Sequence, residues 1–316
     1  MTDTETKSAQ LSRAEGAMLG QLAGDSLGSL VEFEMEHTIR ARYPNGVREL
    51  ANGGTWNTLA GQPTDDSEMA LVLARTLVGR STYDADAALE VYQAWLRAEP
   101  FDCGLTIASG LQGAPNPESQ ANGAMMRISP LGIFGAKHPL ERVAEWARED
   151  AELTHPNPVC LEANALFTMG IAHAIEAGCS AEALYEKILG WADELEVEAA
   201  LKDAVKQAAD APPENYTRFQ GWVLIAFQNA LWQLLHAENL EEALVDSVTR
   251  GGDTDTNGAI CGALLGAVHG RGAVPSRWAE AVLSCRPAAG APGVYQPRPE
   301  IYWPVDALDL AAALLG

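Results

Sequence analysis

Glycine recurs at every fourth residue in two segments near opposite ends of the chain. The first run is Gly16, Gly20, Gly24 and Gly28, and the second is Gly258, Gly262, Gly266 and Gly270. Residues four apart share one helix face. Because glycine costs about 1 kcal/mol relative to alanine inside a helix, eight of them on two stripes require a compensating gain, such as the close approach of two core helices.

A close approach of the two glycine-rich helices would also bring nearby acidic residues together. If the two glycine stripes face each other or a common neighbour, Asp25 and Glu32 beside the first stripe come near Asp253 and Asp255 beside the second. The stripes themselves indicate only helix packing, since small residues are a sufficient explanation for close contact. Their value lies in placing carboxylates from the two ends of the chain together.

Two acidic clusters stand where a loop leads into an apolar helix: Thr64-Asp65-Asp66-Ser67 and Asp253-Thr254-Asp255-Thr256. A helix cap is one explanation, since Asp, Ser and Thr are preferred there and acids in a first turn are stabilised by the helix dipole. A cap needs one oxygen, however, and each cluster offers three or four. Carboxylates and hydroxyls are hard donors that suit Mg²⁺, Mn²⁺ or Ca²⁺, so the clusters predict a shared site for two divalent ions about 3.5–4 Å apart.

The hydrophobic periodicity predicts an all-α protein. Ten segments have the spacing and composition of helices, and no convincing strand is found. We expect one compact domain of packed helices over residues 11–316, after a polar N-terminal tail at residues 1–10, with the Pro-rich segment 286–304 packed near its end. The predicted helices are Glu68–Gly79, Ala85–Ala98, Leu140–Glu149, Glu162–Ala177, Ala181–Glu194, Val197–Ala208, Trp222–His236, Leu240–Val248, Asn257–Val268 and Ala307–Leu315.

The composition and charge of the chain disfavour several classes of binding partner. The chain has 316 residues, 47% of them apolar, and a net charge of −22, which disfavours binding to a nucleic-acid backbone or an anionic membrane. Its five cysteines are scattered without metal-site spacing. Residues 219–235 are uncharged but interrupted by Gln and Asn, which favours a buried core helix over a membrane span. The polar N-terminus lacks a signal peptide, so the expected location is the cytoplasm.

Four motifs in order resemble the ADP-ribosylglycohydrolases, over the stretch from about Leu11 to Gly272. They are GAMLGQLAGDSLG at residues 16–28, TDDS at 64–67, NGAMMR at 122–127 and GGDTDTNG at 251–258. The resemblance implies an all-α fold and a site for two divalent metal ions, Mg²⁺ or Mn²⁺. It also implies the metal ligands Thr64, Asp65, Asp66, Asp253, Asp255 and Thr256. Thr254 is left out because it points elsewhere if the two Asp share a face of the turn.

The resemblance further implies two catalytic acids. Glu32 follows the first motif at a position where many members keep an acid that contacts a metal or the attacking water, so we expect a general base or water-positioning group; a solvated loop carboxylate is the alternative. Glu34 and Glu36 are close enough in sequence to be confused with it. Asp102 matches, by its distance from Asp65, an acid of the bacterial enzyme that removes ADP-ribose from arginine, and it favours arginine substrates unless it merely ends a helix.

Substrate contacts are also implied. Asn122, Gly123 and Ala124 are expected to offer backbone N–H groups to a diphosphate. His155 resembles the family's ribose or phosphate contact. Trp222 stands at a position usually held by an adenine-stacking tyrosine, although a core tryptophan is equally compatible with the sequence. Arg127 is either a phosphate clamp or the partner of a structural acid.

Three functions follow from these observations. The first is a metal-dependent hydrolase that removes mono-ADP-ribose from a modified side chain, most often arginine, or from another ADP-ribose conjugate. The second is a non-catalytic, crystallin-like binding relative, which would be expected to lose metal-binding Asp residues that this chain keeps. The third is a metal-dependent phosphohydrolase, disfavoured because no GxxxxGK[ST] phosphate loop is present. The sequence does not set the oligomeric state or the modified target.

Overall fold

The structure, a computed structural model, describes residues 3–316. Within these residues the only β-pairing is three isolated bridges, and the regular structure consists of fifteen α-helices and two short 3₁₀ helices. The α-helices are α1 (Asp3–Gly28), α2 (Glu36–Arg42), α3 (Asp65–Arg80), α4 (Ala85–Arg97), α5 (Leu105–Leu111), α6 (Ser129–Gly135), α7 (Leu140–Glu152), α8 (Pro158–Ala177), α9 (Ala181–Glu194), α10 (Ala199–Gln207), α11 (Val223–His236), α12 (Leu240–Thr249), α13 (Thr254–His269), α14 (Ser276–Ser284) and α15 (Ala307–Leu315), and the 3₁₀ helices are Arg271–Ala273 and Glu300–Tyr302.

The predicted all-α fold is confirmed, and each of the ten predicted helices is present. α9 and α15 have the predicted bounds, and the other eight differ at one or both ends. The helices that the sequence did not reveal are α2, α5, α6 and α14, each only 7 to 9 residues long. Two turns are too short for a periodic pattern to stand out. The two acidic clusters begin α3 and α13, because both helices start earlier than predicted.

The N-terminal segment differs from the prediction. Instead of a polar tail, the chain is helical from Asp3, and residues 3–10 extend α1 by two turns. Glu, Lys, Ala and Gln in this segment are good helix formers. Gln10 donates to the carbonyl of Glu176 at 3.3 Å and Arg13 donates to that of Ile175 at 2.7 Å, so this part of α1 is also tied to the end of α8.

The glycine stripes pack α1 against α13, as expected if they face each other, and the two helices are antiparallel. A Cβ atom on Gly20 would lie 2.1 Å from the carbonyl oxygen of Gly262, and one on Gly16 would lie 2.4 Å from that of Gly266. No side chain fits at that separation, so the backbones touch. The C-terminal end of α1 therefore meets the N-terminal end of α13, where the second acidic cluster stands.

Two apolar helices complete the centre of the bundle. α11 is buried along most of its length, in agreement with the core helix predicted for residues 219–235. α8 is long and apolar enough to cross a membrane by length and composition alone, and 78% of its apolar window is buried inside the protein. That burial is what a core helix of a packed bundle shows.

The Pro-rich segment 286–304 packs over the bundle. The guanidinium of Arg298 forms hydrogen bonds at 2.8 Å with both carboxylate oxygens of Glu68 on α3. It also donates to the carbonyls of Ala98 and Glu99, at 2.7 and 3.2 Å, where α4 ends. One buried cation thus joins the C-terminal segment to the helix that starts with the first acidic cluster and to the loop that leads to Asp102.

Candidate active site

The first acidic cluster is held in place by α1. Thr64 is the N-cap of α3, but the capping oxygens come from Asp25: its carboxylate accepts the N–H groups of Thr64 and Ser67 at 3.2 Å and the Thr64 hydroxyl at 2.9 Å. An N-cap oxygen from a distant helix satisfies the free N–H groups of the first turn. Asp65 and Asp66 are therefore left free of the capping role that the sequence allowed for them.

Two glycines, together with hydrogen bonds to the loop after α1, fix the position of the second acidic cluster. Gly251 and Gly252 both have a φ of +78°, which favours glycine, and a Cβ on Gly252 would lie 2.2 Å from the carbonyl oxygen of Tyr216. The N–H of Phe33 donates to Gly252 at 2.7 Å, and Gly252 donates to Glu34 at 3.0 Å. This pairing fixes the loop after α1, with Glu32, beside Asp253.

Thr254 does not face the cluster. Its hydroxyl donates to the carbonyl of Gly28 at 2.7 Å, so its exclusion from the predicted ligands agrees with the structure. Asp253 instead accepts a hydrogen bond from the Asn122 side chain at 2.7 Å, which connects the second cluster to the third motif. Thr64 lies deeper than the cavity wall, because its hydroxyl faces Asp25 and Asp66.

Three carboxylates from three separate parts of the chain converge. Glu32, Asp102 and Asp255 each present an oxygen within 4.8 Å of the other two. Glu32 is almost fully buried, and its Oε2 accepts the indole N–H of Trp56 at 2.5 Å. Both predicted catalytic acids are thus brought to the second cluster, and Glu32 is not the solvated loop carboxylate that was its alternative.

Burial and mutual repulsion make these groups hard to ionise. Burial raises the pKa of Asp65 to about 6, of Glu32 to about 8 and of Asp102 to about 10, with the charges of neighbouring carboxylates adding to the effect. The same causes raise the pKa of Asp66 and Asp255 well above its usual range. No Lys or Arg lies among the residues that line the cavity in the part of the chain the structure describes.

The arrangement fits divalent cations. Asp66 Oδ1 and Asp255 Oδ2 are buried oxygens without a hydrogen-bond partner, and such atoms in native proteins require an explanation. All the converging groups are hard oxygen donors, as Mg²⁺ and Mn²⁺ prefer. Cations there would offset the repulsion. Of the predicted ligands, Asp65, Asp253, Asp255 and Thr256 line the cavity, whereas Asp66 and Thr64 are buried behind it.

The cluster forms the floor of a cavity of about 390 Å³. Of the residues predicted to contact the substrate, Asn122, Gly123 and His155 line its wall. Two details of that prediction are wrong. The N–H of Asn122 donates to the carbonyl of Gly221 at 2.9 Å and is not free for a diphosphate, and Ala124 is buried behind the wall. The chain turns inward after Gly123, since the N–H of Met125 bonds back to Asn122.

Trp222 lies beside this cavity rather than in it. It lines an adjoining cavity of about 360 Å³ with Phe219, and the two cavities share the wall residues Ala121, Gln220 and Gly221. The indole N–H donates to Gln120 at 2.8 Å, and the Phe219 ring lies edge-on at 5.7 Å between centroids. An aromatic surface next to the acidic floor is compatible with the predicted adenine contact.

Arg127 is a structural residue. Its guanidinium is fully buried and donates to Asp150 and to Thr154, and it does not line the cavity. The alternative of a phosphate clamp is therefore wrong. The sequence left both alternatives open because it does not show which acid Arg127 meets.

Three contributors were missed by the sequence reasoning. Trp56 holds Glu32, Asp25 caps α3, and Arg298 connects Glu68 to the loop before Asp102. A tryptophan within a glycine-rich loop and an Arg within a Pro-rich segment are weak signals of such roles. Asp25 was noted beside the glycine stripe, yet only the structure shows that it turns to α3.

The motif order now has a counterpart in known proteins. The family model described as ADP-ribosylglycohydrolase matches residues 6–296. The chain belongs to the ADP-ribosylglycohydrolase family. The ADP-ribosyl-[dinitrogen reductase] glycohydrolase of Rhodospirillum rubrum is 33% identical over 278 residues, covering 84% of this chain and 88% of that protein.

Two further comparisons agree. The ADP-ribosylarginine hydrolase Tri1 of Pseudomonas putida is 27% identical and is aligned over 88% of this chain and 76% of its own. A solved structure described as an ADP-ribosylglycohydrolase-related protein complex superposes with a TM-score of 0.79 at 28% identity, covering 98% of both chains. This member of the ADP-ribosylglycohydrolase family therefore has the family's fold over 98% of its length and is a hydrolase.

Proposed function

We propose that this ADP-ribosylglycohydrolase is a divalent-metal-dependent enzyme that removes mono-ADP-ribose from modified arginine side chains. The observation that carries the proposal is the convergence of Glu32, Asp102 and Asp255 within 4.8 Å at the floor of the cavity. It supplies two acids with different pKa values beside a cluster of hard oxygen donors. The relative named as an ADP-ribosylarginine hydrolase supports the choice of linkage.

Cleavage of the N-glycosidic bond passes through an oxocarbenium-like transition state at the anomeric carbon. Bound divalent cations would orient the ribose hydroxyls and the attacking water, and would offset the negative charge that raises the pKa of Glu32. Glu32, held by Trp56, is in place to accept the proton of that water. The water oxygen bonds to the anomeric carbon as the bond to the guanidine nitrogen breaks.

Asp102 is suited to the opposite task. Burial first, and then the charges of Asp65 and Glu32, raise its pKa to about 10 in the metal-free protein, and burial continues to favour the protonated form when cations offset those charges. A protonated carboxyl can donate that proton to the departing guanidine, which leaves with the electron pair of the broken bond. Two carboxyls whose environments separate their roles are the usual basis for an acid and base pair.

The cavity dimensions agree with such a substrate. The acidic floor receives the distal ribose and the linkage, and the adjoining cavity with Trp222 and Phe219 receives the adenine. Ala121, Gln220 and Gly221 form the wall that the two cavities share, and Asn122 and Gly123 line the first cavity next to it.

The decisive experiment measures free ADP-ribose released from arginine-, serine- and nucleic-acid-linked conjugates, with Mg²⁺, with Mn²⁺ and after chelation. We expect metal-dependent release from the arginine conjugate without AMP or phosphate. Release from another linkage alone would overturn the arginine assignment, and AMP would favour a phosphohydrolase. ADP-ribose binding without release from any conjugate would favour a binding module.

A further inference from the structure

A buried network behind the cavity wall links Arg127 to His155. Arg127 donates to Asp150 Oδ1 at 2.9 Å, to the Asp150 carbonyl at 2.8 Å and to the hydroxyl of Thr154 at 3.0 Å. The ring of Tyr92 lies 4.4 Å from the guanidinium carbon. Arg127, Asp150 and Thr154 are completely buried, so the network has one rigid arrangement.

The hydroxyl of Thr154 has two hydrogen-bond partners, and the first of them, Arg127, fixes the direction of both hydrogen bonds. A guanidinium has donors and no acceptor, so Thr154 Oγ1 must accept from Arg127. The other partner is Nδ1 of His155, at 2.8 Å. Since no further acceptor lies within reach of this hydroxyl among the described residues, its single proton is donated to His155 Nδ1.

The tautomer of His155 follows. In a neutral imidazole one ring nitrogen accepts and the other carries the proton. Burial and the nearby charge of Arg127 lower the pKa of His155 to about 3, so the ring is neutral. With Nδ1 accepting from Thr154, the proton resides on Nε2. The opposite tautomer would leave the buried hydroxyl proton of Thr154 without an acceptor.

Nε2 is the ring nitrogen that this network leaves without a partner. It is buried and has no hydrogen-bond partner, and His155 lines the cavity. Gly123 keeps this edge open, because a Cβ there would lie 3.2 Å from His155 Cε1 and 2.8 Å from Ile107 Cδ1. A side chain in place of Gly123 would crowd the carbon next to Nε2.

We propose that Arg127 and Thr154 are positioning residues that lock His155 as the Nε2–H tautomer, a neutral donor aimed at an acceptor oxygen in the ribose-diphosphate part of the ligand. The proposal rests on the proposed function for the identity of that ligand. It assigns Arg127 a role at the site although the residue touches no ligand. A neutral donor suits this cavity, because it binds an oxygen without neutralising the carboxylates that the metal ions need.

Nitrogen-15 NMR of histidine-labelled protein tests the tautomer without any turnover. We expect the two ring nitrogens of His155 to show a protonated Nε2 and an unprotonated Nδ1. Thr154→Ser keeps the hydroxyl and should keep this pattern, whereas Thr154→Val should lose the preference. A protonated Nδ1 in the wild-type protein would overturn the proposal, even if ADP-ribose release were observed.

Binding of ADP-ribose and of ADP, measured calorimetrically in excess Mg²⁺, tests the donor. Thr154→Val should weaken ADP-ribose binding about tenfold, as expected for loss of an ordered hydrogen bond, and Thr154→Ser should restore it. Equal loss for ADP would assign the contact to a phosphate, and loss for ADP-ribose alone would assign it to the distal ribose.

Thr168→Val is the matched control, since it removes another fully buried hydroxyl, bonded to the carbonyl of Asn164 at 2.7 Å on α8. It should leave ADP-ribose affinity and the His155 signals unchanged. His155→Gln places an N–H donor near the former Nε2 and should bind more tightly than His155→Asn, whose amide lies near Nδ1. Unchanged affinity in Thr154→Val, or tighter binding by His155→Asn, would contradict the proposal.

Discussion

A Cβ atom on Gly24 would lie 2.1 Å from the carbonyl oxygen of Gly258, so α1 and α13 meet through their backbones at the level of the acidic clusters. This contact places Asp25 and Glu32 at one end of α1 against Asp253 and Asp255 at the start of α13. The active site therefore depends on two glycines that carry no chemistry. Its geometry is set by how closely two helices approach.

Gly20→Ala is expected to destabilise the protein by more than about 3 kcal/mol or to prevent folding, because overpacking here meets rigid backbone rather than a flexible side chain. Gly190→Ala on α9 is the matched control. It has nothing within 4 Å of the added Cβ, so it should be neutral or stabilising by up to about 1 kcal/mol. Urea denaturation of both variants measures the difference, and equal stabilities would refute the backbone contact.

Asp66→Asn and Asp255→Asn should abolish turnover and weaken Mg²⁺ binding by about 10- to 100-fold or more, because each removes a charge beside a buried oxygen that has no protein partner. The helical circular dichroism should be unchanged. Asp309→Asn, at an exposed position of α15, is the control. Calorimetric Mg²⁺ titration at wild-type affinity in either site variant would remove these residues from the metal site.

Asp102→Asn should lower kcat for an ADP-ribosylarginine substrate by about 10²- to 10⁴-fold, the usual contribution of a general acid or base, while ADP-ribose affinity changes little. The physical reason is loss of the proton that its raised pKa retains at neutral pH. Asp86→Asn on the exposed face of α4 should have no effect. A variant that lost ADP-ribose binding and turnover together would assign Asp102 to substrate or metal binding instead.

Arg298→Met should destabilise the protein by about 3–5 kcal/mol, because it leaves the buried carboxylate of Glu68 without its cation. The double variant with Glu68→Gln should recover part of that loss. Arg277→Met removes an exposed Arg that pairs with Glu49 and Glu241 and should cost no more than about 1 kcal/mol. Denaturant titration measures the free energy of unfolding of the three variants. Similar losses for Arg298→Met and Arg277→Met would show that the buried Arg298–Glu68 ion pair does not stabilise the protein more than an exposed one.

The metal-free protein should lose stability as the pH rises. The folded state raises the pKa of Glu32 from 4.5 to about 8, chiefly by burial and then by the charge of Asp253, so it binds this proton more tightly than the unfolded chain does. The associated stability is fully present below about pH 4.5 and is lost as the pH passes through about 8. The melting temperature of the protein after removal of metal by a chelator, compared at pH 5.5 and pH 8.5, measures this loss of stability.

Glu32→Gln should show a smaller fall between these two pH values, and excess Mg²⁺ should reduce the fall in the wild type. Glu34→Gln, which removes an acid paired with Arg42, is the control for a nearby charge change. A wild-type protein whose melting temperature falls no more than that of Glu32→Gln would show that Glu32 is not the group responsible.

Much of the fold could be predicted because its signals are local. The helices from α7 to α13 repeat apolar residues over several turns, and their ends carry recognisable caps such as Ser180, whose hydroxyl accepts from Ala183. Short helices such as α5 and α6 have too few residues for this periodicity. The helical start at Asp3 was missed because a polar segment can form a helix when it docks on a neighbour, as α1 does on α8.

In the active site, too, some features could be predicted from the sequence and others are visible only in the structure. By residue type and spacing, the sequence alone predicted that hard oxygen donors would gather near the ends of the glycine helices, and the family resemblance of the motifs supplied the roles proposed for Glu32 and Asp102. Only the tertiary structure decided that the indole of Trp56 donates a hydrogen bond to Glu32 and that Arg127 donates to Thr154 rather than to a phosphate. It also decided that Ala124 is buried. Ligand type is a property of single residues, whereas hydrogen-bond partners and burial depend on chain segments that meet only after the helices have packed.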